Sequence, residues 1–393
     1  MEFNYSEEQL ALQDTLQRFI SRDYDFDKRR AFSASPLGYS AEAWSQYADL
    51  GLLALPFPEE FGGLGGSAVD TMLVMEQFGQ GLLLEPYVST VVACGGLLRD
   101  AAPAAMKSRL LPQIAAGTVK LSLAAYEAAG RYDLSFVGCT AKQSGAGWLL
   151  SGRKTVVLDG ASADTFLVSA RSSGKVADRD GISLFLVPRD AKGLTVGAYP
   201  TQSGARAADL LLENVAVGAD AMIGAPGRAL PAIERAVDRA IAALCAEAVG
   251  IINALNQATL NYLKTRKQFG VAIGTFQALK HKMADMLIAA EQSRSMAIIA
   301  AVHADSEDAA DRHRAVSAAK AYIGQAGRLV GQHAVQMHGG MGVVDELIVS
   351  HYFKRLTMID LSLGDADYHL ASFSETLKPA IDAQADRLVS AGS

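Results

Sequence analysis

The feature that most constrains the fold is a change of hydrophobic period along the chain, from helical spacing to strand-like runs and back. Near the start, Leu12, Leu16 and Phe19 recur at helical spacing after a potential capping box at Ser6. Between residues 121 and 226, short apolar and β-branched runs such as TVVL and ISLFLVP alternate with Gly, Ser and Asp clusters. Such runs are typical of an antiparallel sheet or small barrel. Helical spacing then returns, so the order is helical, β, helical.

This order predicts an α+β multidomain protein with three domains. We expect an N-terminal helical domain at residues 1–120, an antiparallel β-barrel at 121–226 and a helical bundle at 227–393. The chain has 393 residues, of which 50% are hydrophobic. That composition is enough to give each domain a substantial core.

Composition also excludes several classes of partner. The net charge is −6 and the basic residues are scattered among acids, so the chain has no electrostatic footprint for nucleic acid. The start, MEFNYSEEQ, lacks a cationic segment followed by an apolar run. No stretch approaches the ~20 apolar residues that are needed to span a bilayer. We therefore expect a cytoplasmic protein without membrane insertion.

Cysteine and histidine spacing gives no sign of a metal site. The three cysteines, Cys94, Cys139 and Cys245, are far apart and show no CxxC spacing, so neither a disulfide framework nor a zinc site is indicated. His333 and His338 are five residues apart, a spacing that does not put both on one helical face. We expect no metal.

Four short phrases carry the functional information. They are PEEFGGLGG at 58–66, LLLENVAVGADAMIG at 210–224, RKQFGVAIGTFQALKHKMADM at 266–286 and QMHGGMG at 336–342. One alone would be weak, because Gly-rich loops and Ala-rich helices are common. Together, in this order and spacing, they resemble the acyl-CoA dehydrogenase family along essentially the whole chain.

The resemblance implies an architecture and a cofactor. Members of the family have an N-terminal helical bundle, a small β-barrel and a C-terminal four-helix bundle, and they usually assemble as dimers or tetramers around FAD. In the family, the Arg, Phe and Gln of the third phrase, and the Gln-x-x-Gly-Gly loop of the fourth, reach the FAD of the neighbouring subunit. The resemblance implies cofactor-binding roles for Arg266, Gln268, Phe269, Ile273, Gln277, Gln336, Gly339 and Gly340.

These residue types suit a dinucleotide. A pyrophosphate is well bound by a guanidinium with several donors, and an adenine or flavin edge packs on an aromatic surface. Glycine lets the backbone approach closely. Taken singly, Arg266 could equally cap a helix, Phe269 could be a core residue and Gly339 could belong to an ordinary turn.

The catalytic base of the family is missing from its expected positions. In the family reaction a Glu carboxylate removes the α-proton of an acyl-CoA while the β-hydrogen leaves as hydride to the flavin, so a base is indispensable. Counting from HYFKR places Leu363 in the slot of that Glu, and the second family location falls on Ala240. The nearest acids, Asp365 and Asp238, are weak candidates.

Residues that would contact the chain's own flavin are also replaced. The Trp-Ile-Thr phrase of the family corresponds to Val156 to Leu158, and a flavin-contacting Thr corresponds to Tyr126. Two further FAD-contacting positions are Asp365 and Asp367, whose charge opposes a pyrophosphate. What the chain would use for its own flavin is lost, whereas what it would contribute to a neighbour's flavin is kept.

This division between lost and retained residues suggests a subunit that completes the FAD site of a related partner chain within a hetero-oligomer. The resemblance implies an acyl-CoA substrate, electron-transferring flavoprotein as the electron acceptor, and a place in fatty acid β-oxidation and lipid metabolism. One alternative is a self-sufficient homo-oligomeric dehydrogenase with Asp365 or Asp238 as base, or a flavin oxidase on the same fold. Another is a scaffold subunit that binds no cofactor. The sequence does not identify the acyl chain.

Overall fold

The computed structural model describes residues 5–377, and its first part is helical. The capping box predicted at Ser6 is confirmed: Ser6 Oγ accepts from Gln9 N at 3.2 Å, and Gln9 Oε1 accepts from Ser6 N at 3.0 Å. A π-helix follows the fourth helix. The helices of this part are α1 (Glu7–Asp23), α2 (Phe26–Ala34), α3 (Ala41–Asp49), α4 (Ala68–Gly81), the π-helix (Val88–Gly95), α5 (Gly96–Ala101) and α6 (Ala104–Ala115).

The middle part of the chain forms one eight-stranded sheet. Its strands are β1 (Leu121–Ala124), β2 (Thr140–Ser144), β3 (Gly147–Leu158), β4 (Thr165–Arg171), β5 (Ile182–Pro188), β6 (Leu194–Pro200), β7 (Arg206–Val217) and β8 (Met222–Ile223). The strand order is β6-β7-β3-β2-β4-β5-β8, with β1 paired to β4. Most neighbours are antiparallel, as predicted, but β1 and β2 each run parallel to β4. In both cases β3 lies between the two parallel strands along the chain, and it provides the long connection that parallel pairing requires in place of a tight turn.

The last part returns to helices. They are α7 (Leu230–Thr265), α8 (Gln277–Ala304), α9 (Ala309–His338) and α10 (Ile348–Leu361), followed by a helical segment at residues 366–377. A hairpin of β9 (Lys267–Gln268) and β10 (Val271–Ala272) joins α7 to α8. The helices α7 to α10 pack on one another, which agrees with the four-helix bundle implied by the resemblance.

The helix α7 corrects one expectation from the sequence. It has 36 residues and contains an 18-residue window of mean hydropathy 1.3, which is long and apolar enough to cross a membrane. The expectation that no stretch is apolar enough to span a bilayer is therefore wrong. Isolated charged side chains interrupt the apolar run in the sequence, but they lower the mean hydropathy of an 18-residue window only slightly. The structure buries 78% of that window. The apolar residues of α7 therefore contribute to the protein core, where the helix packs against α4, α8 and α9.

Two glycines set the distance between α4 and α7. A Cβ added at Gly79 would overlap the carbonyl of Glu247, and one added at Gly250 would overlap the carbonyl of Glu76. Only glycine allows the two backbones to approach this closely. The contact joins the N-terminal helices to the core of the last domain, and it places Glu247 directly beside the backbone of α4.

Candidate functional site

The hairpin between α7 and α8 presents an aromatic ring to solvent. Phe269 and Gly270 form its two-residue turn, with φ of 53° and 80°. Positive φ at both central positions is typical of a type I′ turn, and it is unfavourable for a bulky residue such as Phe. Phe269 is 90% exposed and contacts the ring of Phe276 edge-on, with the centroids 6.2 Å apart. An exposed aromatic residue in a strained conformation indicates a binding surface.

The side chains of Arg266, Gln268 and Gln277 in the same segment have no hydrogen-bond partners among residues 5–377. Arg266 follows α7 directly and is exposed, and within residues 5–377 its guanidinium makes no hydrogen bond or ion pair. Gln268 and Gln277 are exposed on the hairpin and at the start of α8. Ile273 is half-buried and packs against the core, so it anchors the base of the hairpin. The segment thus carries free hydrogen-bonding groups on a fixed support.

The second predicted segment lies beside the hairpin. Gln336 is exposed on the last turn of α9, and the helix ends at Gly339, where φ is 59° and ψ is −141°. This backbone region is essentially restricted to glycine. The ring of His338 stacks on Tyr262 of α7, with the centroids 4.4 Å apart. The stacking connects the loop at Gly339 and Gly340 to the end of α7, which Arg266 follows directly.

A cavity of about 450 Å³ lies between the middle domain and the last helices. Three tyrosines, two histidines, an aspartate and several apolar side chains form much of its wall. These residues are Tyr126, Tyr132, Leu134, Val237, Asp238, Ile241, His313, Leu363, Tyr368 and His369. The cavity therefore contains Leu363, the residue in the predicted slot of the base.

The turn that carries Leu363 is held at several points. Buried Lys320 donates from Nζ to the carbonyl oxygens of Asp360 and Gly364. Burial lowers the pKa of Lys320, and burial lowers that of His369 to about 4. Neutral His369 donates from Nε2 to the carbonyl of Leu363 at 3.0 Å. These hydrogen bonds fix the backbone at Leu363, where φ is 60°. The hydrocarbon side chain of Leu363 cannot accept a proton.

The two aspartates named as alternative bases are both engaged. Asp238 is buried in the cavity wall, where it accepts from Arg312 Nε at 3.0 Å and pairs with His313 Nδ1 at 3.2 Å. Asp365 accepts from the backbone N–H of Tyr368 at 2.8 Å and so caps the helical segment at 366–377. Asp365 is not among the residues that line the cavity.

The positions that would contact the chain's own flavin offer few suitable groups. Val156 and Leu158 are hydrocarbon side chains, and Val156 is 54% exposed. Tyr126 lines the cavity, and burial raises the pKa of its hydroxyl. The rings of Tyr132 and Tyr368 pack together with centroids 5.3 Å apart. Aromatic rings thus form this part of the cavity wall.

Val156 itself gives a stability prediction. Its φ is 51° at a bulge between β3 and β7, a conformation that costs a β-branched residue about 1–2 kcal/mol. Since the side chain is largely exposed, Val156→Gly should raise the thermal unfolding midpoint by about 1 °C. Val176→Gly is the control, because Val176 is similarly exposed but does not have positive φ. A lower midpoint for Val156→Gly would show that the strain is not relieved.

Comparison with known proteins identifies the family of this chain. Models of the acyl-CoA dehydrogenase N-terminal, middle and C-terminal domains match residues 6–118, 122–215 and 227–377. A probable acyl-CoA dehydrogenase of Mycobacterium tuberculosis (strain ATCC 25618 / H37Rv) is 31% identical over 314 residues, which are 77% of this chain and 79% of that protein.

Two solved structures share the complete fold. One is named as a Tcur3481-Tcur3483 steroid ACAD variant, with a TM-score of 0.85, 30% identity and coverage of 96% of this chain and 99% of that one. The other is the ChsE4-ChsE5 complex from Mycobacterium tuberculosis, with a TM-score of 0.87, 25% identity and coverage of 96% and 99%. The fold is thus that of the three-domain flavin-dependent dehydrogenases. The chain belongs to the acyl-CoA dehydrogenase family, whose members use FAD and are oxidoreductases acting on CH–CH groups.

Sequence reasoning missed several residues around the cavity. It gave no role to Lys320 and His369, which hold the turn of Leu363, or to His313, which pairs with Asp238. For Lys320 there was a signal, since a single lysine stands inside the Ala-rich stretch SAAKAY. A buried lysine in such a stretch requires partners, and the structure supplies carbonyl oxygens.

Proposed function

We propose that this chain is a subunit of a hetero-oligomeric acyl-CoA dehydrogenase and completes the FAD site of a related partner chain. The observation that carries the proposal is the side chain of Leu363. It lies in the cavity wall on a turn fixed by Lys320 and His369, where the reaction of the family requires a carboxylate. Desaturation of the acyl-CoA thioester then depends on the base of the partner chain.

The hairpin residues suit a cofactor that is bound by another chain. Arg266 offers a free guanidinium for a pyrophosphate, Phe269 an exposed ring for an aromatic edge, and Gln336 an amide. Glycines at 339 and 340 leave space for close backbone approach, since an added Cβ would meet no atom within 4 Å at either position. Bound FAD supplies the hydride acceptor, and these residues hold and orient it.

The chain's own side of the site does not fit FAD equally well. Val156 and Leu158 bring no hydrogen-bonding side chain to a flavin edge, and Asp365 and Asp367 bring negative charge to the region of a pyrophosphate. The similar solved structures named as Tcur3481-Tcur3483 and ChsE4-ChsE5 each name two chains. These two-chain names support the proposal that the chain assembles with a different chain.

The isolated chain provides the first test. Purified alone, it should show little of the visible absorbance of bound flavin and no turnover of an acyl-CoA with an artificial electron acceptor. Adding the partner chain should restore both. Stoichiometric FAD and turnover in the isolated chain would contradict the proposal and favour the self-sufficient enzyme.

One observation favours the self-sufficient alternative, namely that Asp238 lies in the cavity wall. Asp238 is shorter than Glu and is already bonded to Arg312 and His313, so it would have to leave these partners to act as a base. Asp238→Asn and Asp365→Asn in an active homo-oligomer would decide the matter, because only loss of the true base abolishes proton abstraction.

A further inference from the structure

Three polar residues from distant parts of the chain form a hydrogen-bonded line beside the cavity. Asp238 on α7 pairs through Oδ1 with His313 Nδ1 on α9 at 3.2 Å. On its other side, His313 Nε2 lies 2.7 Å from the hydroxyl of Ser372, in the helical segment at 366–377. An acid, a histidine and a serine linked in this order are the arrangement that activates a serine nucleophile.

The neighbours of His313 determine which of its two ring nitrogens carries the proton. Asp238 is 3% exposed and also accepts from Arg312 Nε at 3.0 Å, so it is held as a carboxylate in one position. A carboxylate only accepts hydrogen bonds, and His313 Nδ1 must therefore carry the proton. The hydrogen bond to Asp238 raises the pKa of His313. Neutral His313 then presents the lone pair of Nε2 to the hydroxyl of Ser372.

The line lies next to a space large enough for a substrate. His313 and Asp238 are part of the wall of the 450 Å³ cavity. Ser372 is half-buried and does not itself line the cavity, but it lies three residues after His369 and four before Thr376, which do, and so shares their face of the helix. A volume of this size falls within the range of pockets that bind small organic molecules. Apolar residues of the wall, such as Val237, suit a hydrocarbon acyl group.

We propose that Ser372, His313 and Asp238 form an acyl-transfer site that hydrolyses small carboxylic esters or thioesters without flavin. Ser372 Oγ attacks the acyl carbonyl carbon while its proton passes to His313 Nε2. That proton then goes to the leaving alcohol or thiol as its bond to the acyl carbon breaks. A water molecule gives a proton to His313 and attacks the acyl-serine, and the carboxylic acid leaves as the proton returns to Ser372. Asp238 positions His313 and stabilises its charged form.

The test uses the full chain, free of FAD, with two probes. Hydrolysis of p-nitrophenyl butyrate measures turnover, and mass spectrometry after treatment with a fluorophosphonate locates the reactive serine. Ser372→Ala and His313→Gln should each lower hydrolysis by about 100-fold, the usual contribution of a positioned base. The adduct should be on Ser372 in the unaltered chain and be much slower to form in His313→Gln.

The matched control is Ser374→Ala, since Ser374 is exposed on the same segment. It should hydrolyse the ester at the unaltered rate. Ser372→Ala removes one hydroxyl from a half-buried position, so its circular dichroism should be unchanged. Absence of an adduct on Ser372, or hydrolysis by Ser372→Ala at the unaltered rate, would overturn the proposal and leave the three residues as a structural link between helices. Neither result depends on the flavin subunit proposal.

Discussion

Replacement of Arg266 by alanine should weaken FAD binding in the assembled complex by about 10- to 100-fold. Within residues 5–377 the guanidinium has no partner, so its truncation leaves no group of this chain unsatisfied. The loss is that of hydrogen bonds between a guanidinium and a phosphate group, worth about 1.5–3 kcal/mol. The measurement is FAD content and FAD dissociation in a complex that carries the altered chain with its partner.

The control for this experiment is the same substitution at the far end of the bundle. Arg314 is half-exposed in the first two turns of α9 and pairs with Asp311, at the end of this helix away from His338 and the hairpin. Arg314→Ala changes the net charge equally but should leave FAD binding unchanged. Arg266→Lys should recover only part of the affinity, because an ammonium lacks the planar fork of a guanidinium. Equal FAD content for Arg266→Ala and the unaltered complex would favour a scaffold without a cofactor role.

Much of the fold could be predicted from the sequence because local patterns determine it. The runs TVVL, TFLVSA, ISLFLVP and LLLENVAV lie within β3, β4, β5 and β7. Strand order could not be predicted in the same way, since the parallel pairing of β1 with β4 joins Leu121 to Thr165 across 44 residues. Local hydrophobic period carries no information about such partners.

The candidate site divides in the same way. The hairpin residues are contiguous in sequence, so a phrase such as RKQFG is enough to predict that Arg266 and Phe269 act together. The interior is assembled from distant segments: Lys320 reaches the turn of Leu363, and Ser372 meets His313 across 59 residues. No spacing in the sequence indicates these contacts, because three different helices bring them together.

The sequence and the structure together make Leu363 more informative than either alone. The sequence indicates only that a leucine replaces the expected acid, with a register uncertain by one or two residues. The structure puts Leu363 in the cavity wall and Asp365 at a helix cap. A shift that brought Asp365 into the cavity would require the loss of its hydrogen bond to the backbone of Tyr368.

The second large effect is expected at the ion pair between α7 and α10. Arg355 donates from Nε and Nη2 to the two carboxylate oxygens of Glu247, at 2.5 and 2.6 Å. Glu247 is 2% exposed, and removing it leaves the guanidinium of Arg355 in the interior without its hydrogen-bonded counter-charge, although the charge of Asp159 still acts on it. Breaking such a buried pair costs about 3–5 kcal/mol. Glu247→Met should therefore lower the thermal unfolding midpoint by about 4–6 °C for a chain of this size.

The double variant Glu247→Met with Arg355→Met separates pairing from packing. It removes both charges while keeping side-chain volume, so no buried charge is left uncompensated, and its midpoint should lie closer to that of the unaltered chain than either single variant. If the double variant falls by the sum of the two single effects, the residues act independently and the pair is not the source of stability. Because Glu247 lies where α4 approaches α7, strong coupling would show that the pair stabilises the packing of α10 on α7 beside this approach.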